Sequence, residues 1–212
     1  QNGIKIGLWL SGLIGVSIAT VTAYTSIYTG QKEIIEFGLT MQNPAMIAML
    51  GSLYEVENFN LGAVFASEML LFSAIAVSVM NILLVSSSTR MDEEEGRLEM
   101  VLALPVGRLA YLAATISMMV IVNSLLFMIL SLGLGLFNHE AFSVESALLY
   151  GGILASTGLF FAAVTAVAAQ LTETSRGATG ISFAVLIAAY IIRAIGDVSN
   201  ELLSIVSPLG WT

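Results

Sequence analysis

Apolar residues gather into five long runs, each closed off by a shorter polar stretch. A helix needs about 20 apolar residues to cross a bilayer, and core strands are much shorter. Every run meets that length, so the pattern predicts an all-α integral membrane protein. We interpret the chain as a single transmembrane domain with five spans, at residues 4–28, 62–87, 109–137, 146–171 and 177–196.

The composition agrees with a membrane location. Of the 212 residues, 57% are hydrophobic and 10% are charged, whereas a soluble domain carries about 25% charged residues. The formal net charge of −8 argues against nucleic-acid binding, which needs a basic surface. Cysteine is absent and His139 is the single histidine, so we expect no metal site. The lipid bilayer is the first partner that the sequence predicts.

The positive charges predict an orientation, because loops on the cytoplasmic side of a membrane carry an excess of Lys and Arg. Five of the seven basic residues fall on one side of the predicted spans. That group is Lys5, Arg90, Arg97, Arg108 and Arg176, and the opposite group is Lys32 and Arg193. The N-terminus and the loop after the second span are therefore assigned to the cytoplasm. The C-terminal tail then lies outside, and an odd number of spans suggests one further helix.

The long outer segment 29–61 contains a local helix signal. Asn43 followed by Pro44 is typical of an N-cap with proline at the first helical position, and Gly51 is typical of a helix end. A short helix on the outer surface and an apolar loop packed on the helix ends are both compatible with this pattern.

The densest charge cluster of the chain lies between the second and third spans. A helix over 91–104 places Met91, Leu98 and Leu102 on one stripe, directs the acidic residues largely away from it, and ends at Pro105. Acidic residues contribute little to topology, and anionic lipids repel them. The cluster is either a solvated connector or, as we favour, a docking element for a protein partner with basic residues.

The order of residues in this cluster resembles the intracellular motif of ABC-2 type exporter permeases. That motif has an acidic run, Gly, Leu-Glu and a Leu-Ala-x-Pro-Val-x-Arg ending between the second and third spans. This chain has Glu-Glu-Glu-Gly-Arg-Leu-Glu at 93–99 and Leu-Ala-Leu-Pro-Val-Gly-Arg at 102–108. The resemblance implies a coupling helix that docks on a separate ATP-binding subunit through Glu93, Glu94, Glu95, Arg97, Leu98, Glu99 and Leu102.

Three weaker motifs resemble the subgroup of these permeases that exports polyketide antibiotics and other drugs. They are Asn-Pro-Ala at 43–45, Arg-Ala-Ile-Gly-Asp at 193–197 and Ser-Pro-Leu-Gly-Trp at 207–211. Members of the subgroup often join two six-helix halves. The resemblance therefore implies a first half that ends before its sixth helix, with a second half or a second copy as partner. It also implies drug efflux, antibiotic resistance and the bacterial plasma membrane.

A phosphate-binding loop of the Gly-x-x-x-x-Gly-Lys-Ser/Thr type does not occur in the sequence. We therefore expect a non-catalytic subunit without a cofactor of its own, with ATP and Mg²⁺ held by the partner subunit. Such a permease turns closure of its partner into rearrangement of its spans.

Polar residues inside the predicted spans are further candidates for function. Glu68 in the second span and Arg193 near the outer end of the fifth lie at comparable depth. Intramembrane charges are rare and often functional, so one hypothesis is a Glu68–Arg193 pair that closes the outer side of the pathway or contacts a polar drug. The alternative is that each reaches the interface separately. Asn81 and Asn123 are expected to form hydrogen bonds between spans.

Three other functions are compatible with the residues alone. A secondary transporter or channel without an ATPase partner is expected to show intramembrane acids for ion coupling, of which Glu68 is the candidate. An intramembrane enzyme needs a metal cluster or a serine–histidine arrangement, and His139 lies in a loop. A membrane-anchored assembly or sensor subunit is the third.

Overall fold

The computed structural model describes residues 2–28, 30–51, 60–94, 96, 108–136, 142–199 and 201–211. All regular secondary structure in these residues is helical, which confirms the predicted all-α fold class. The described helices, in chain order, are α1 (Asn2–Ile27), α2 (Gln31–Met41), α3 (Pro44–Leu50), α4 (Leu61–Ser87), α5 (Arg90–Glu94), α6 (Arg108–Gly135), α7 (Val144–Leu171), α8 (Ser175–Ser199), α9 (Glu201–Val206) and a 3-10 helix (Pro208–Trp211).

Five of these helices, α1, α4, α6, α7 and α8, are long and apolar enough to cross a membrane. They correspond to the five apolar runs, so the predicted number of spans is confirmed. The short α5 lies at one end of the bundle beside the turn between α7 and α8, and we call this end the α5 side. The opposite end, where α3 meets the far part of α8, is called the α3 side.

The centre of the bundle is α4. In its most apolar stretch 61% of the residues are buried inside the molecule, against 17% in α1. Helix α4 packs against α7, α1 and α8, and α6 packs along α7. Large side chains such as Leu71, Met80 and Phe161 are fully enclosed. The outer faces of α1 and α8 are apolar and exposed, so they are suited to lipid or to another membrane helix.

Two buried asparagines join α4 to α6. Asn123 Nδ2 donates to Asn81 Oδ1 at 2.7 Å, and Asn81 Nδ2 donates to Asn123 Oδ1 at 3.2 Å. These bonds confirm that each asparagine bonds between spans, and they show that the two are each other's partners. Gly158 of α7 lies directly against the pair, because a β-carbon at that position would stand 2.7 Å from Asn81 Nδ2. The three central helices therefore meet at one polar contact.

The segment between the first two spans contains the helix that its local signal indicated. The Asn43 side chain accepts the Ala45 N–H at 2.9 Å, α3 begins at Pro44, and Gly51 ends it with a φ of 113°. This confirms the helix over the alternative of an apolar loop. A φ in this range favours glycine, which explains the residue type at the helix end.

Helix α2, which precedes α3 in the same segment, was not predicted from the sequence. Its Ile34 and Met41 are buried, and Phe37 packs against the core. These three residues are spaced three and four positions apart, which is the helical period that identifies an apolar face. The signal was present, but the exposed Ile35 and Leu39 between them are apolar too and obscured the period.

The C-terminal part of the chain turns back along α8, and whether it lies outside the cell stays a prediction. Ser207 Oγ donates to the Ala189 carbonyl at 2.7 Å, about three turns before the end of α8. Gly196 makes this approach possible, because the backbone nitrogen of Ser204 occupies the position that a β-carbon would take. Helix α9 and the 3-10 helix are therefore part of the wall of the bundle.

Candidate functional site

The predicted docking element begins with α5, which follows a break in the helix at Ser88 and Thr89. Glu93 and Glu94 lie on α5 and are exposed on the α5 side. The remaining docking residues lie outside the described residues, as does most of the helix predicted over 91–104; they are Glu95, Arg97, Leu98, Glu99 and Leu102.

Arg90 joins the start of α5 to the end of α7. Its Nε donates to the Ala169 carbonyl at 2.5 Å, and its Nη1 pairs with Glu93 Oε2 at 2.6 Å. Ala169 belongs to the last turn of α7, where carbonyls have no partner within the helix and the helix dipole favours a positive charge. Arg90 therefore caps the C-terminus of α7.

Glu94 joins the end of α5 to the start of α8. Its carboxylate accepts the Ser175 hydroxyl at 2.6 Å and the Ser175 backbone N–H at 2.8 Å. Ser175 is the first residue of α8, and a helix N-terminus favours negative charge. These two hydrogen bonds, with smaller contributions from Arg176 and Arg90, hold the pKa of Glu94 below its ordinary value. Glu94 is therefore ionised at neutral pH and caps α8.

Other hydrogen bonds tie this end of the bundle to α6 and to α4. The Tyr111 hydroxyl of α6 donates to Asp92 Oδ2 at 2.8 Å. The Ser86 and Thr179 hydroxyls share a hydrogen bond of 2.7 Å between α4 and α8. A displacement of α5 therefore acts on three membrane helices, α6, α7 and α8, in addition to α4.

Sequence reasoning identified the acidic residues but not their partners. Arg90 and Glu93 stand three positions apart on one helix, and this spacing is a signal that could have identified their pair. The partner of Glu94 is 81 positions away in the sequence, and no local pattern points to it. Only the packing of α4 beside α7 and α8 brings Glu94 to Ser175.

The structure does not bring together Glu68 and Arg193, the ion pair that the sequence predicted. Arg193 Nη2 lies 2.7 Å from Asp197 Oδ2, and Ser204 Oγ donates to Asp197 Oδ1 at 2.5 Å. Glu68 is half-buried on α4, and in the described part of the chain no ion pair links it to Arg193. The physical reason is that Asp197 stands one helical turn after Arg193, within immediate reach on the same helix.

The C-terminal motifs that carried the family resemblance lie at this corner of the α3 side. Arg193 and Asp197 form the ion pair, and Gly196 admits the backbone of α9. Ser207 bonds to α8, and Gly210 lies against the backbone of Ser204. These residues share one structural role, which is to pack α9 and the 3-10 helix onto α8.

An open cavity of about 650 Å³ lies on the α3 side between α4, α6, α7 and the 3-10 helix. Phe65, Phe142, Tyr150 and Trp211 contribute aromatic surface, and the lining residues that the structure describes carry no charge. A cavity of this size and lining is suited to an uncharged apolar or aromatic small molecule. No three His, Asp or Glu side chains gather as a metal-binding group within the described residues.

Comparison with known proteins identifies the family. Residues 6–212 match a family model described as "Multidrug efflux system permease Rv1217c, C-terminal domain". The multidrug efflux system permease protein Rv1217c of Mycobacterium tuberculosis (strain ATCC 25618 / H37Rv) is 35% identical over 218 residues, which is 100% of this chain and 38% of that protein.

This chain thus spans well under half the length of the curated relative that it matches. The matching model is described as a C-terminal domain. The expectation that this chain is the first of two six-helix halves therefore gains no support and stays a prediction. The match extends over almost the whole chain and includes all five spanning helices. The chain is a multi-pass membrane protein that belongs to the family of multidrug efflux system permeases.

Proposed function

We propose that this chain is the transmembrane permease part of an ATP-driven ABC exporter that moves drugs or other hydrophobic compounds out of the cell. A separate ATP-binding subunit carries ATP and Mg²⁺ and docks on the α5 side. A second permease half or a second copy completes the pathway. In this proposal the α5 side and the N-terminus face the cytoplasm of a bacterial cell.

The position of α5 carries the proposal. An acidic segment at the end of the central helix α4 is bonded to α6, α7 and α8, so a partner bound there acts on most of the bundle. ATP favours one arrangement of the helices only by as much as the docking of the partner differs between the two states. A segment bonded to several spans is displaced when those spans rearrange, so docking of the partner on it differs strongly between the two states.

The class of substrate is supported by two further observations. The described lining of the cavity on the α3 side is mainly apolar and aromatic and carries no charge, and the M. tuberculosis relative is named a multidrug efflux permease. A secondary transporter is the rival function, with Glu68 as its candidate acid, and the drive for transport distinguishes the two.

Replacing Glu93 by Lys is expected to weaken binding of the ATP-binding subunit about tenfold, or ~1.4 kcal/mol. The Glu93 side chain is half exposed and bonded to Arg90 of its own helix. Its reversal removes this ion pair, leaves the two bonds between Glu94 and Ser175 in place, and repels a basic partner surface. The measurement is the affinity of the full-length permease for ATP-binding subunits of its host in detergent.

The matched control for this binding test is Glu33→Lys. Glu33 is an exposed acid on α2, on the opposite side of the bundle, and its reversal makes the same change in charge. Binding at the wild-type level is expected. Equal binding by Glu93→Lys and wild type would remove Glu93 from the docking surface, and no capture by wild type would refute the ABC proposal.

Transport by the full-length permease with its ATP-binding subunit is expected to depend on ATP and to be independent of ion gradients. Inside-out vesicles should accumulate a fluorescent hydrophobic drug when ATP is added to the medium. A protonophore should leave the rate of accumulation unchanged. Accumulation that follows an imposed proton gradient without ATP would instead establish the secondary transporter.

A further inference from the structure

The turn between α7 and α8, residues 172–174, is held at both of its helix ends by α5. Arg90 binds the Ala169 carbonyl at the end of α7, and Glu94 binds Ser175 at the start of α8. We call these four residues, Arg90, Glu94, Ala169 and Ser175, the hairpin clamp.

The charges of the hairpin clamp match the helix ends that they contact. A C-terminus carries a partial negative charge and receives the arginine, whereas an N-terminus carries a partial positive charge and receives the glutamate. Ala169 and Ser175 are buried at 1% and 9% exposure, whereas the Glu94 carboxylate that reaches Ser175 lies on an exposed side chain. Because α5 has five residues, the two charges stand one turn apart on a short, stiff element.

Helix α8 connects the hairpin clamp to the cavity on the α3 side. It has 25 residues and is therefore about 37 Å long. At its far end the Arg193–Asp197 pair and Ser204 fix α9 to it, and Ser207 binds the Ala189 carbonyl. The 3-10 helix that follows α9 supplies Trp211 to the cavity wall.

We propose that Glu94 is a positioning residue that makes α8 follow α5, so that docking of the ATP-binding subunit on the α5 side shifts the cavity wall formed by the 3-10 helix. This inference rests on the proposed function for the source of the movement. The hairpin clamp itself is a property of the permease alone. Packed helices move as rigid bodies, so one bonded helix is enough to carry the displacement.

The functional test is the amount of drug transported per ATP hydrolysed by the full-length permease with its ATP-binding subunit. Glu94→Gln is expected to lower this ratio at least about fivefold in purified complexes, whose content of bound ATP-binding subunit is measured alongside. Glu173→Gln is the matched control, because Glu173 is an exposed acid in the same turn and stands two residues before Ser175. It should keep the wild-type ratio.

Two outcomes of the functional test would overturn the inference. One is a wild-type ratio in Glu94→Gln. The other is an equal fall in Glu94→Gln and Glu173→Gln, since the effect would then come from net charge at this end and not from the bond to Ser175. A fall confined to Glu94→Gln supports the inference.

Thermal unfolding of the permease alone is a second test of the hairpin clamp. Ser175→Ala removes the hydroxyl donor, so it and Glu94→Gln should each lower the thermal midpoint in detergent. The double variant should lie no lower than Glu94→Gln, because both changes break the same contact. Additive losses would overturn the clamp. Non-additive losses with no ATP-binding subunit captured by wild type would uphold the clamp and refute the proposed function.

Discussion

Asp197→Leu is expected to lower the free energy of unfolding by about 3–5 kcal/mol, the usual cost of leaving one partner of a buried ion pair alone. The Arg193 side chain is 3% exposed, and its Nη2 is held by Asp197 at 2.7 Å. Its Nη1 finds no partner among the described residues, so the guanidinium has little to replace the lost carboxylate. Ser204 also loses its acceptor. Unfolding in mixed micelles of sodium dodecyl sulfate measures the loss.

The double variant Arg193→Met/Asp197→Leu is the control for this result. Apolar side chains of similar volume often replace a buried ion pair without loss, because the desolvation cost of both charges disappears. The double variant should therefore recover most of the stability that Asp197→Leu alone loses. A double variant as unstable as Asp197→Leu would show that α9 depends on the pair itself and not on a neutral, well-packed corner.

Gly158→Ala is expected to lower the free energy of unfolding by about 2–3 kcal/mol. An added β-carbon would stand 2.8 Å from Val77 Cγ1 and 2.7 Å from Asn81 Nδ2, with Asn123 Oδ1 closer still. Overpacking of this kind costs about 1–3 kcal/mol, and a hydrogen bond between membrane helices contributes about 0.6 kcal/mol. The same unfolding assay in mixed micelles measures this loss in the free energy of unfolding.

Gly152→Ala is the matched control on the same helix. A β-carbon at Gly152 has its nearest neighbour, Phe127 Cε2, at 3.9 Å, which is an ordinary contact. This variant should be as stable as wild type or slightly more stable, because alanine favours helix more than glycine does. Equal losses at positions 158 and 152 would mean that helix flexibility, and not contact with the Asn81–Asn123 pair, explains the effect.

Arg193 and Glu94 show how far local sequence reasoning reaches. The true partner of Arg193 stands four positions along the same helix, so its pairing was available from spacing alone. The hypothesis of a pair with Glu68 required two helices to be matched in depth and rotation, which the sequence does not specify. Glu94 is the harder case, because its bond to Ser175 depends on how α5 is placed over two other helices.

The residues of the acidic segment have different roles, although their pattern suggested a single docking surface. Glu94 caps α8 through Ser175 of the same chain, and Asp92 is bonded to Tyr111. Glu93 is the described docking candidate whose bond stays within α5, to Arg90. A charge that caps a membrane helix and a charge that faces a partner look identical in sequence, since both lie in the same short acidic run.

The five apolar helices, the all-α class and the start and end of α3 could be predicted from the sequence. Each of these follows from hydrophobicity over about 20 residues or from caps within one helical turn, and both are local properties. The return of α9 along α8 and the hold of α5 on the turn between α7 and α8 are visible only in the folded molecule. Those contacts depend on the distance between backbones and on the direction of single side chains, which are set by packing between helices far apart in the chain.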